Sequence, residues 1–347
     1  MNPLIKKTLL CAGALTMMVA SAVASAAPLS GTIYTANESD TSISEIALTT
    51  GLVRTFKASI VPHNVQITPD GTFLLAVGMA AEGHGKESKH GAHKMQADDE
   101  GKLSIFDVRN LDKPVATLPA GKHPAHVVTD REGRRAFVTS AEENAITVLD
   151  LVRHSVIGKI ATGASPHGLR PSPDGRELYV ANVGDNSVSV VNTATLKVVA
   201  RIPVGKAPVQ VAYTPDGRQV YVSLRDENKV AIIDVATRLV IGKVDVARNP
   251  IQLYATSDGK TLYVANQGSE KDWDDKVSVI DLASGKVKAT VTTGAGAHGV
   301  VVDARGETAF VTNIAAGTVS AIDTTSQQVT ATFKVGAGPN GVTYRRD

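Results

Sequence analysis

Pro124, Pro166, Pro208 and Pro250 stand 42 residues apart, each just after one short strand pattern and before the next. A fixed period in this range marks a repeat architecture, in which a unit too small to bury its own apolar face stacks against its neighbours. The same phrases recur downstream of these prolines. An Asp-Gly turn (Asp174-Gly175, Asp216-Gly217, Asp258-Gly259) precedes a Tyr-Val strand (Tyr179-Val180, Tyr221-Val222, Tyr263-Val264). A further apolar strand then ends in Asn192, Asp234 or Asp281. One unit therefore reads Gly-x-x-Pro, strand, tight turn, strand, loop, strand, turn, strand. Units start at Gly121, Gly163, Gly205 and Ala247, another at Gly294 with Ala297 in the proline's place, and an earlier one near Ser59 with Pro62. The seventh is divided between the chain ends: Gly336 to Tyr344 supplies its first strand and Gly31 to Asn37 its second.

Seven four-stranded antiparallel units predict an all-β chain, a seven-bladed β-propeller whose ring closes by pairing the N- and C-terminal strands in one blade. Such closure leaves no long unpaired sheet edge. Within the blades Val188, Val190, Val230, Ile232 and Val235 alternate with polar positions as half-buried strands do. Asn37, Asn182, Asn266 and Asn313 follow the second strands and read as turn caps bonding nearby backbone. Asp150, Asp234, Asp281 and Asp323 read as turn residues. The segments Tyr179-Val180-Ala181-Asn182, Tyr263-Val264-Ala265-Asn266 and Phe310-Val311-Thr312-Asn313 resemble the repeat of YVTN-type β-propeller proteins, over essentially all of residues 28–347. The resemblance implies the fold but leaves function open, because similar propellers serve as haem- or copper-bearing enzyme domains, lactonases, metal chaperones and binding scaffolds.

Residues 1–26 read as a segment outside the fold. Lys6 and Lys7 precede an apolar stretch from Leu9 to Val23, and Ala24-Ser25-Ala26 forms a small-x-small cleavage signal, so a Sec-type signal peptide and a periplasmic or secreted protein are expected. Residues 27–347 then form a single propeller domain. The only cysteine, Cys11, lies in the leader, which excludes disulfides and thiolate metal sites from the processed chain. Processing takes Lys+Arg from 36 to 34, equal to the 34 Asp+Glu. That neutrality argues against nucleic acid as a partner, and no other apolar run is long enough for membrane insertion. A monomer is expected.

The repeat breaks in two places. Pro62 to Pro124 is 62 residues, an insertion of 20, and Pro250 to Ala297 is 47, an insertion of five. Both fall between second and third strands, on the face where connections enter the next inner strand. The larger, about residues 78–101, is predicted to be a mobile loop and carries His84, His90 and His93 beside carboxylates. The smaller, about 268–275, places Trp273 among acids, with Asp272 and Asp274 as candidate partner contacts. Just after the repeat proline stand His63, His167 and His298, with His126 one residue later in its blade. That position opens the innermost strand, so the four are predicted to converge on one mouth of the channel, where neutral imidazoles suit Zn or Cu.

No Gly-x-Ser-x-Gly elbow, phosphate loop, His-Glu-x-x-His helix or Cys-x-x-Cys-His haem site occurs, so nothing nominates a catalytic residue. The expected function is handling of a transition metal, Zn or Cu, by an exported propeller. The His-rich loop would capture the ion, and a metal transporter or another periplasmic protein would be its partner. Two alternatives stand beside it: a non-enzymatic scaffold whose top face binds a protein, peptide or nucleic acid, and a metal-assisted hydrolase or lactonase.

Overall fold

The computed structural model describes residues 28–81 and 100–347. Each repeat folds as its hydrogen-bonding pattern demands. In the unit from Pro166, strands Pro166–Pro171, Glu177–Asn182, Ser187–Asn192 and Lys197–Pro203 pair in sequence order, every neighbour antiparallel. The turn from first to second strand closes on a glycine at positive φ (Gly175 +75°, Gly217 +71°, Gly259 +69°), a conformation that a Cβ penalises. Seven such four-stranded sheets make a seven-bladed propeller, with a small two-stranded hairpin, Gly268–Ser269 with Asp272–Trp273, in the shorter insertion. We number the blades from the one built by both chain ends: blade one, then those opening at Pro62, Pro124, Pro166, Pro208, Pro250 and Ala297.

The core lies between blades. Tyr179, Val188 and Val190 of blade four pack with Val211, Val220 and Val222 of blade five, and the pattern repeats around the ring. Tyr34, Tyr179, Tyr221, Tyr263, Phe106, Phe137 and Phe310 are among the largest fully buried side chains. Burying one such ring contributes roughly 1.5–3 kcal/mol. Asn37, Asn182 and Asn313 are buried pins rather than backbone caps. Their amides donate across to third-strand hydroxyls, as Asn182 does to Ser187 and Ser189 at 3.0 Å each. Asn266 divides its amide between such a hydroxyl, Ser278, and the carbonyls of Val264 and Lys276. Asp150, Asp234, Asp281 and Asp323 accept backbone N–H groups within the outer turns.

Blade one is closed by Pro339–Arg345 pairing with Thr32–Asn37. Tyr344 Oη donates to Ser30 O at 3.2 Å, and Gly31 N–H to Asp347 Oδ2 at 2.9 Å. The longer insertion leaves blade two between Phe73–Ala80 and Glu100–Asp107. Its His84, His90 and His93 lie outside the described residues. No helix among the described residues is long and apolar enough to cross a membrane.

Candidate metal centre at the channel mouth

Every inner strand carries an irregularity at the same place. Pairing with the second strand slips by one residue just after the repeat proline, or after Ala297 in blade seven. Such a bulge bends the strand and disturbs its strict alternation, so adjacent residues can both face the axis. This explains how His126, two residues after its proline, meets His63 and His167, each one residue after theirs. The ring centroids are 4.8 Å apart for His126 and His167, 5.5 Å for His63 and His167, and 5.9 Å for His63 and His126.

Each of the three offers one ring nitrogen, and these nitrogens lie within 4.8 Å of one another. An ion held at about 2.0–2.1 Å by each needs a closer approach, reached by small ring rotations. The outer hydrogen bonds set what each ring can offer. His63 Nδ1–H points to Glu38 Oε1 at 3.3 Å, while Asn340 Nδ2 donates to Glu38 Oε2 at 2.7 Å. His167 Nδ1–H donates to Val209 O at 3.3 Å. Both arrangements aim an Nε2 lone pair inward, as carboxylate- or carbonyl-bound metal ligands do. His126 differs. Gln210 Oε1 accepts Val211 N–H at 2.9 Å, so its amide Nε2 faces His126 Nδ1 at 3.4 Å and the imidazole proton sits on Nε2. Ligation through that nitrogen requires the proton to move to Nδ1 and the Gln210 amide to turn. The Nε2 atoms of His63 and His126 are buried without a hydrogen-bond partner among the described residues.

Burial and charge together set the protonation of each ring. Burial works against the charged form of His63, but Glu38's charge and hydrogen bond outweigh it and hold the His63 pKa above its ordinary value. Burial also opposes ionisation of Glu38. The charge of His63, with hydrogen bonds from His63 and Asn340, overcomes that and brings Glu38 down to about 2. Burial, then repulsion from neighbouring histidines, presses His126 well below its usual range and His167 to about 3. The mouth therefore presents two imidazoles that burial keeps neutral, His126 and His167, and one, His63, whose charged form Glu38 stabilises.

His298 stands at the equivalent place in blade seven, but its ring is not among the three whose nitrogens converge. Its Nδ1–H donates to Asn340 O at 3.3 Å, and burial holds it neutral, with a pKa of about 4. In the shorter insertion, Asp272 pairs with Arg248, and buried Asp274 accepts Lys276 N–H at 3.1 Å and Arg248 N–H at 3.3 Å. Trp273 is half-buried beside Gly296, where an added Cβ would lie 3.1 Å from its ring.

Among known proteins, a sequence profile described as a YNCE-like beta-propeller matches residues 160–257, from the last strand of blade three into blade six. None of the curated proteins matches the sequence. The fold is shared with solved structures of low identity. A functionally unknown protein from Desulfotomaculum acetoxidans is 14% identical, with a TM-score of 0.73 over 91% of this chain and 99% of its own. A candidate 6-phosphogluconolactonase from Bacteroides uniformis is 15% identical, with a TM-score of 0.72 over 90% of this chain and 99% of its own. Hydrazine synthase from Kuenenia stuttgartiensis is 20% identical, with a TM-score of 0.67 over 82% of this chain and 95% of its own. At these identities the likeness speaks for the propeller alone.

Four residues of the mouth were not singled out by sequence reasoning: Glu38, Asn340, Gln210 and Thr139. Thr139 Oγ1 accepts His126 N–H at 3.0 Å and donates to His167 O at 2.6 Å, fixing the two backbones together. Glu38 had a readable signal. It follows the second strand, where the other blades carry Met79, Ala141, Val183, Arg225, Gln267 and Ile314, and it is the single acid of that set.

Proposed function

We propose that this protein is an exported propeller that binds a late first-row transition metal, Zn or Cu, at the mouth of its channel and hands it on. His63, His126 and His167 would hold the ion. Glu38 would orient His63 and add the negative charge that three imidazoles lack. The observation that carries this reading is the convergence of one ring nitrogen from each of three histidines, together with buried Nε2 atoms on His63 and His126 that no hydrogen bond fills among the described residues. A buried polar atom without a hydrogen bond is costly; a cation would meet the lone pair of His63 Nε2, and that of His126 Nε2 once its proton has moved to Nδ1. Three protein donors leave at least one coordination position open to solvent or to a partner's ligand, which suits transfer better than permanent storage.

The test is metal content. Untagged protein, purified from the periplasm or exposed to Zn²⁺ and Cu²⁺ and then desalted, is expected to retain about one equivalent, lost in a His126→Ala/His167→Ala double variant. A second form, with residues 82–99 replaced by an Asn-Gly turn, separates the channel mouth from the His-rich loop. Retention by that form locates the ion at the mouth. A metal-free protein, or one whose content ignores the double substitution, refutes the reading.

A further inference from the structure

The opposite mouth of the channel is built differently. Four residues beyond the repeat proline the inner strands place Arg170 among Gln66, Val128, Ala212, Tyr254, Val301 and Thr343, lining a cavity of about 910 Å³. The Arg170 guanidinium carbon lies 5.6 Å from the centroid of the Tyr254 ring. Arg170 belongs to blade four and Tyr254 to blade six, so this contact reaches past blade five, where Ala212 leaves the space free. We propose that this cavity is a second binding site, for a small organic molecule carrying an oxyanion that Arg170 grips.

The argument rests on what Arg170 lacks. A guanidinium brings five N–H donors, and Arg135 and Arg238, also partly buried, each meet a carboxylate: Asp130 at 2.9 Å and Glu177 at 2.6 Å. Arg170 has no carboxylate and no hydrogen-bond acceptor among the described residues. The acids around the cavity are engaged elsewhere. Asp70 is held by Thr68 and Thr72, Asp130 by Arg134 and Arg135, Asp303 by Glu307 N–H and Asp347 by Gly31 N–H. Burial pulls the Arg170 pKa below its ordinary value, yet an arginine keeps its charge in a protein. A fixed cation in a lined cavity, with its fork unfilled, is complementary to carboxylate or phosphate, which it can grip bidentately. The apolar walls of Val128, Ala212, Val301 and Tyr254 favour a ligand with a compact organic body over a bare ion. Cavities of about 300–1,000 Å³ are the size in which small molecules bind.

This site shares no residue with the metal centre, and calorimetry tests it. Benzoate and inorganic phosphate are titrated into the full-length processed protein. Saturable binding of at least one is expected; tighter phosphate binding would point to a phosphate ester, tighter benzoate binding to a carboxylic acid. Arg170→Met is expected to weaken that binding about tenfold to a hundredfold, the scale of one charged hydrogen-bonding group. Ala212→Glu places a competing carboxylate on the neighbouring strand without removing the arginine, so it serves if Arg170→Met fails to fold, and the same loss is expected. Metal content should stay unchanged in both. No saturable binding of either probe, or undiminished binding in the folded variants, overturns the proposal.

Discussion

At the residue scale, Glu38 governs the character of the mouth. Its charge stabilises the doubly protonated His63 ring, whose Nε2 proton must leave before that nitrogen can bind a metal ion, so binding and protonation compete. The sign follows from the raised pKa. Below it His63 is charged and affinity falls, by up to about tenfold per pH unit for one displaced proton; above it affinity is level. In Glu38→Gln the carboxylate no longer opposes burial, and the His63 pKa drops. The slope should vanish from that window, while affinity above it falls about 10–100-fold for loss of the outer-shell carboxylate. Competition titrations of Zn²⁺ against a chromophoric chelator across pH measure both effects. A wild-type slope in the variant would assign the competing proton to another group.

At the element scale, the bulge in each inner strand is the device that turns a β-hairpin into a site. In blades four, seven and one, His167, His298 and Asn340 are each followed by glycine, and space explains why. A Cβ on Gly168 would lie 2.4 Å from Gln210 Oε1 and 2.5 Å from Val209 O. Gly299 and Gly341 face equally close neighbours, Asn340 O at 2.5 Å and Asn64 Cα at 2.7 Å. Gly168→Ala is therefore expected to cost about 1–3 kcal/mol of stability through overpacking, and to weaken metal binding by displacing Gln210 and the His167 backbone. Gly158→Ala is the control, because nothing lies within 4 Å of a Cβ there, and it should leave chemical denaturation and metal content unchanged. Equal destabilisation by the two would show that the inner bulge is not tightly packed. The alternation of large and glycine at these positions is visible in the chain; its cause, a neighbouring blade in the way, is not.

For the whole molecule, closure decides whether the site exists. The last strand, Pro339–Arg345, completes blade one and also brings Asn340, which bonds Glu38 through its amide and accepts His298 through its carbonyl. Ending the chain at Gly338 strips Thr32–Asn37 of its inner partner and leaves an open edge able to pair with another chain. The truncated protein is expected to lose its single cooperative thermal transition, to aggregate, and to retain no metal. Calorimetry and size-exclusion chromatography read these outcomes, and an intact transition would mean that six blades and a partial seventh close without the terminal strand.

The chain alone determined the blade, the number of blades and the shared position of the channel histidines. Those follow from local rules: a period of 42, glycine where φ must be positive, and apolar alternation that a strand converts into a buried face. The split blade was legible for the same reason, since each half keeps its own phrase. Tertiary structure alone decided that three histidines converge while His298 turns its Nδ1–H to Asn340, and that Glu38 and Asn340, 302 residues apart, share a hydrogen bond. It also revealed an arginine facing a cavity with no acid to meet it. The physical reason is that spacing along a repeat fixes how far along the channel a side chain sits, whereas the angle between blades and the slip at each bulge fix which side chains meet across it.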